Sequence, residues 1–259
     1  ADVQARYLRW LGKKVHFLGG NDENTFKVVK RARELELDTQ TYVDQIAQQF
    51  KDIWKLLDIS YDDFIQTSEE RHKIGVQKFI NIVHEAGFIY KKHYEGRYCQ
   101  GCEEFKIEGV CENHPNEVVD RNEENYFFSL SLFKDFALDF ITKLEIVPES
   151  RFNEIKNVIN NDLQDISISR KNQGWGIPIP WDESQVIYVW FDALLSYLTG
   201  IGFGTDEEKF NGLWKNSCHF IGKDITRFHC VLFPAMIEAY NQGSDKKIKY
   251  PKKVFSHGF

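Results

Sequence analysis

A chain of 259 residues that is 42% hydrophobic and 15% aromatic has ample material for a core, which excludes general disorder. Its 33 basic and 39 acidic residues give a formal charge of −6, so it has no whole-chain basic footprint for nucleic acid. No apolar run approaches the roughly 20 residues of a membrane span, and no signal-like N-terminus precedes the first helix, which points to the cytoplasm.

Residues 1–11 read as a helix with Val3, Tyr7, Leu8 and Trp10 as its apolar positions, and Gly12 ends it. A short strand is expected over 14–19, so that helix, Gly and strand form half of a parallel α/β crossover. At the strand's C-terminal end lies Asp22, where α/β sheets place ligand residues. Spacing leaves two uses for it open: holding an ammonium group, or capping the helix that starts near Thr25. Helices are expected over 25–37 and 39–57, the second with Val43, Ile46, Phe50, Ile53, Trp54 and Leu57 as a core-facing stripe. Thr67-Ser-Glu-Glu-Arg71 has the Ser/Thr-x-x-Glu capping pattern and opens a helix that Gly87 ends.

Cys99-Gln-Gly-Cys102, eight intervening residues, then Cys111-Glu-Asn-His114 is the most specific chemical signal in the chain. Two such halves supply four ligands for tetrahedral zinc. Closure by four protein ligands leaves no open position, so a structural rather than hydrolytic metal is expected. The two remaining cysteines, Cys218 and Cys230, stand apart, a pattern of intracellular zinc rather than of a disulfide framework.

Helices are expected over 123–140 and 149–160. The Gly- and Pro-rich stretch 174–180 reads as a shaped loop returning to the sheet. Just before it, Arg170 is suited either to clamping a polyphosphate or to pairing with Asp165 or Asp182. Two strand-to-helix units follow, over 186–200 and 218–229. In the first, Trp190, Ala193 and Tyr197 share one face; in the second, Ile225, Phe228 and His229 do the same. Gly222 and Asp224 sit at the turn of the second unit, fit either for capping or for contact with a nucleoside. The lysines at 246, 247, 249, 252 and 253 read as a solubilising loop, with phosphate contact as the alternative.

Together these two units resemble the second half of the catalytic domain of class I methionyl-tRNA synthetases, and the resemblance runs over nearly the whole chain. It implies an α/β, Rossmann-like parallel-sheet catalytic domain with an inserted zinc-knuckle connective domain, divided as 1–92, 93–161 and 162–259. The family's Thr-Gly-Thr-Asp-Glu-His-Gly segment falls on Asp22, with Gly19, Asn21, Asn24 and Thr25 departing from it. Thr67 to His72 matches the family's Thr-Ser-Glu-Glu-Arg-His, and the string ending at Arg170 resembles a stretch whose Arg lies at the active site.

By that resemblance Asp22 meets the methionine ammonium, while Trp190, Ala193, Tyr197, Ile225, Phe228 and His229 form the methionine pocket. Gly222 and Asp224 hold the nucleoside of ATP, Arg170 supplies active-site charge, and magnesium accompanies ATP. The partners implied are methionine, ATP and tRNA(Met). The family's His-Ile-Gly-His and Lys-Met-Ser-Lys-Ser elements are absent, expected just before Ala1 and just after Phe259, so these 259 residues alone are expected to be defective in adenylation. Two alternatives are a class I synthetase for another apolar amino acid and a non-catalytic zinc-bearing module derived from a synthetase.

Overall fold

Short parallel strands alternating with helices form the body of the fold. The computed structural model describes residues 1–99, 101, 104–106 and 110–258. The chain begins α1 (Asp2–Trp10), β1 (Leu18–Asn21), α2 (Phe26–Glu34), α3 (Thr39–Leu56), β2 (Asp63–Gln66) and α4 (Glu70–Glu85). It goes on through β3 (Ile89–Cys99), β4 (Glu104–Lys106), β5 (Val118–Phe128), α5 (Lys134–Ile141), β6 (Glu145–Val147), α6 (Ser150–Asp162), β7 (Ile166–Ser167) and β8 (Ser169–Lys171). It ends with β9 (Pro178–Ile179), β10 (Asp182–Ile187), α7 (Val189–Thr199), α8 (Glu207–Leu213), β11 (Cys218–Gly222), α9 (Phe233–Gly243) and β12 (Lys253–His257).

β1 pairs with β2 in parallel, and β11, β12 and β6 form a second parallel sheet in that order. The α/β class with parallel strands is therefore as expected. β1 can lie so close to β2 because position 20 is Gly: a Cβ there would stand 2.2 Å from the Ile65 carbonyl oxygen. A long antiparallel arm, β3 against β5, rises from this body and carries β4 and β7 on its edges. Of the segment 93–161, β6 lies in the sheet with β11 and β12, registering Lys253 with Glu145. The main core gathers where α4, α7 and α9 pack, around Phe79, Phe191, Leu195, Phe233 and Met236. A second cluster, including Phe140, Ile155, Ile221 and Val254, seals α5 and α6 onto the β11–β12–β6 sheet.

Four expectations are corrected. The first strand begins at Leu18 rather than at residue 14; Phe17 donates its N–H to the Asp62 carboxylate at 2.6 Å rather than to a strand neighbour. Residues 123–128 are not helical but complete β5, where Tyr126, Phe127 and Phe128 pair with β3 and are buried. Aromatic residues on a pleated, covered surface favour the strand there, and the helix starts only at Lys134.

The stripe on α3 is core only in part. Val43 is buried, while Phe50, Ile53 and Leu57 are exposed. Trp54, near the helix end, lies half-buried over Gly19 and against Tyr61 and Phe64, so it is the flank bearing Phe50, Ile53 and Leu57 that turns outward. Finally, Thr67 does not cap α4. Glu69 takes the cap position, and the Thr67 hydroxyl accepts the Glu23 N–H at 2.9 Å. Among the described residues no helix is long and apolar enough to cross a membrane.

Candidate active site

Two strand-to-helix transitions build one wall of the site. The first turn of α7 presents Trp190, then Ala193 and, one turn on, Tyr197. The second transition is less regular than its sequence suggests. After β11 comes a short 3-10 turn over Lys223–Ile225, and then a π-helical stretch, Phe228–Leu232, that merges into α9. A π turn inserts one extra residue into the helical period, and this one occupies the positions that bear Phe228 and His229.

The two units meet face to face. Trp190 stacks on Phe228 with ring centroids 4.1 Å apart and planes 4° from parallel. His229 places Nδ1 3.0 Å from the Ile225 carbonyl oxygen. A carbonyl only accepts, so Nδ1 carries the proton and Nε2 is an acceptor, which the Tyr197 hydroxyl meets at 2.8 Å. Burial pushes His229 down to about 4, so the ring is neutral at physiological pH. Behind this pair sits His219, a buried ring 4.3 Å from that of Tyr197 and held down to about 3 by burial and by His229. Of the six positions expected to line an apolar pocket, Trp190 meets Phe228, Tyr197 meets His229 and His229 meets Ile225, while Ala193 lies on α7 between Trp190 and Tyr197.

Asp22 is exposed at the C-terminal end of β1 and does not cap α2, because Thr25 does, accepting from the Val28 N–H at 3.3 Å. Its neighbours in the β1–α2 loop tie that loop to the rest of the site. Asn24 donates to Asp192 Oδ2 at 2.7 Å and to the Thr67 carbonyl at 3.2 Å. Glu23 is buried; its carboxylate receives the Ser68 hydroxyl, and its carbonyl receives Trp175 Nε1 at 2.8 Å.

Arg170 lies in β8, 5% exposed, in a narrow cleft shared with Asn24, Tyr98, Trp175 and Tyr188. Its guanidinium lies over the Tyr188 ring at 4.4 Å and that of Tyr98 at 5.3 Å, and it donates to Ser167 Oγ and the Ser169 carbonyl. Asp165 and Asp182, its alternative partners by spacing, accept from Tyr90 and Ser131 and from Lys91, Tyr126 and Ser184. Gly222 and Asp224 stand at the C-terminal end of β11, and the Asp224 carboxylate is folded back toward Gly222.

At the tip of the arm, ligand atoms of Cys99, Cys111 and His114 all lie within 4.8 Å of one another. Cys102 lies outside the described residues. Sequence reasoning passed over Asn24, Glu23, His219 and Asp192. For Asp192 a signal was present: a lone acid inside the otherwise apolar run Val186 to Leu195.

A family model described as "tRNA synthetases class I (M)" matches residues 1–117 and 106–259. The chain belongs to that family. Among class I (M) relatives, the methionine–tRNA ligase of Fusobacterium nucleatum is 41% identical over all of this chain, which covers 41% of that protein. The chloroplastic/mitochondrial methionine–tRNA ligase of Arabidopsis thaliana is 40% identical, again over all of this chain and 43% of its own length. This class I (M) chain thus spans about two fifths of the length of these relatives. The crystal structure of Mycobacterium tuberculosis methionyl-tRNA synthetase bound by methionyl-adenylate aligns with a TM-score of 0.91 at 34% identity, over all of this chain and 52% of that one. The apo form of the same enzyme aligns at 0.77 with 29% identity, over 94% of this chain and 56% of that one.

Proposed function

We propose that this chain is the methionine- and adenylate-binding part of a methionine–tRNA ligase, which activates methionine with ATP and transfers it to tRNA(Met). The observation that carries this is the aromatic wall of Trp190, Tyr197, Phe228 and His229, with Asp22 at the neighbouring strand end, in a class I (M) chain. A flexible thioether suits such a wall, because it gains sulfur–aromatic contact of roughly 0.3–1.5 kcal/mol and asks for no hydrogen bond. The likeness to a methionyl-adenylate complex supports the same reading.

In this mechanism Asp22 holds the substrate ammonium, and Trp190, Ala193, Tyr197, Ile225, Phe228 and His229 surround the side chain. The methionine carboxylate attacks the α-phosphate of ATP, the bond to pyrophosphate breaks, and methionyl-adenylate stays bound. The aminoacyl group then passes to the terminal adenosine of the tRNA. Gly222 and Asp224 bind the nucleoside, and Arg170 faces the anionic groups. Its flanking tyrosines and its bonds to Ser167 and Ser169 fix its direction in advance, so little reorganisation opposes the reaction. Magnesium enters with ATP as part of the substrate.

The arm is proposed to hold one structural zinc through Cys99, Cys102, Cys111 and His114. Two buried cysteines and a histidine suit it chemically, and Cys111 Sγ lies 3.9 Å from His114 Nδ1. Tetrahedral zinc with bonds of about 2.0–2.3 Å requires ligand atoms roughly 3.5–3.8 Å apart, so the spacing fits. Gly101 contributes by lacking a side chain: a Cβ there would stand 2.4 Å from the His114 ring. The metal would organise the arm. In this division of the chain, 1–92 and 162–259 form the catalytic halves, with 93–161 as the connective segment that returns β6 to the catalytic sheet.

Methionine-dependent exchange of pyrophosphate into ATP by the full-length protein tests the proposal. Exchange supported by methionine and not by leucine, isoleucine or valine is the expected result. Exchange driven by another amino acid overturns it, and binding without exchange favours the non-catalytic module.

A further inference from the structure

Asp192 is the acid that the proposed mechanism does not use. It stands in the first turn of α7 between Trp190 and Ala193, and its surface exposure is 0%. Oδ2 receives the Asn24 amide at 2.7 Å, while Oδ1 has no hydrogen-bond partner among the described residues. A buried carboxylate with an unsatisfied oxygen is an unstable arrangement unless a proton or a cation completes it.

No cation among the described residues pairs with Asp192. On the elements packed against α7, His72 of α4 is engaged with Thr199 two turns further on, at 2.7 Å, and His229 is engaged with Tyr197. Arg170 lies over Tyr188, one turn earlier. Glu23 turns one carboxylate oxygen to Ser68, and its other oxygen is buried without a hydrogen-bond partner among the described residues. The charged group that acts on Asp192 is the like charge of Asp22, two residues from Asn24. Burial first, and Asp22 second, push the Asp192 carboxyl well above the usual carboxylate range, against the opposing pull of Asn24.

We infer that Asp22 and Asp192 form an acidic pair that holds one proton while the amino-acid site is empty, and that the substrate ammonium replaces this proton on binding. The inference rests on the reading of Asp22 as the ammonium site. The O–H bond of the Asp192 carboxyl breaks, the proton passes to solvent, and the ammonium compensates the second negative charge electrostatically. Asp192 is thereby a positioning residue. Through Asn24 it holds the β1–α2 loop, and its ionisation adds a charge to the ammonium site only when a cation is there to meet it. Proton and ligand compete, so methionine affinity rises with pH below the pair's pKa in the empty site, by up to about tenfold per pH unit, and levels off above it.

Calorimetric titration of the full-length protein with methionine, in two buffers of different ionisation enthalpy, reads the protons released. Expected are a net release approaching one proton per methionine at pH values below that pKa, and no release by Asp192→Asn, whose methionine affinity loses its pH dependence. Glu207→Gln, at the start of α8 where Glu207 pairs with Lys78, is the control, and its release should match that of the unmodified protein. Difference infrared spectroscopy of the unmodified protein gives a second readout free of any variant: the carbonyl stretch of a protonated carboxylic acid should disappear when methionine is added. Binding without proton release over the range where affinity should vary, or release that persists in Asp192→Asn, overturns the inference and leaves the pocket assignment standing. Absence of methionine binding overturns both.

Discussion

Tyr197→Phe separates what the tyrosine ring does from what its hydroxyl does. The hydroxyl donates to His229 Nε2 at 2.8 Å, and His229 is 2% exposed with its other nitrogen committed to the Ile225 carbonyl. Removing the donor leaves a buried acceptor unpaired, a loss of about 1–3 kcal/mol. In a chain of this size each kcal/mol lowers the melting temperature by about 2–4 °C, so a drop of roughly 2–12 °C is expected. The ring remains, however, and with it the sulfur–aromatic contact, so Tyr197→Phe should keep most of the preference for methionine over leucine. Tyr197→Ala should lose that contact as well and bring the two amino acids closer. Thermal unfolding followed by circular dichroism, together with calorimetric titration of both amino acids, gives the two quantities separately. Tyr197→Phe with unchanged stability, or with selectivity erased as fully as in Tyr197→Ala, refutes the reasoning.

Other outcomes follow from the same geometry. Asp22→Ala should weaken methionine and leucine together, by about 1.5–3 kcal/mol for a lost charge-assisted contact, and a selective loss in the titrations would contradict its assignment to the ammonium. Protein purified without added metal should contain one zinc per chain by elemental analysis, and chelation should lower the unfolding temperature; substoichiometric metal that reconstitution does not restore speaks against the site. Phe79→Ala removes a fully buried ring stacked 4.9 Å from Tyr240 and should destabilise by about 3–5 kcal/mol in denaturant titration. Burial alone would raise Asp63, yet hydrogen bonds from Arg71 hold its carboxyl below the usual range, so it stabilises the fold above the unfolded carboxylate pKa. That contribution disappears as pH falls through the folded value, and Asp63→Asn should flatten the acid limb of the stability profile.

The parts of the site that lie on regular elements were legible. Trp190, Ala193 and Tyr197 follow helical spacing in α7, and the structure sets Trp190 against Phe228 and Tyr197 against His229. What periodicity could not carry was local irregularity. The π stretch at Phe228–Leu232 leaves no composition signature, and the use of Thr67 by Glu23 rather than by its own helix depends on a residue 44 positions away. The strand over 123–128 was missed for a related reason: its partners on β3, from Tyr94 opposite Glu123 to Ile89 opposite Phe128, lie 29 to 39 residues upstream, and that pairing outweighs the local helical pattern. Asp192 was overlooked because its importance comes from the loop that reaches it, and the Asn24 contact spans 168 residues of sequence.

The placement of β6 has a consequence for how the protein is made. Its partner β12 carries Lys253, 108 residues after Glu145. At about 5–20 residues per second of synthesis, β6 waits roughly 5–20 s on the ribosome before its neighbour exists. Throughout that interval α5 and α6 have a strand beneath them with an open edge, and the apolar residues that later meet Val254 remain uncovered. Three residues make a short edge, and Glu145 at its start adds a charge, both of which discourage pairing with a second nascent chain.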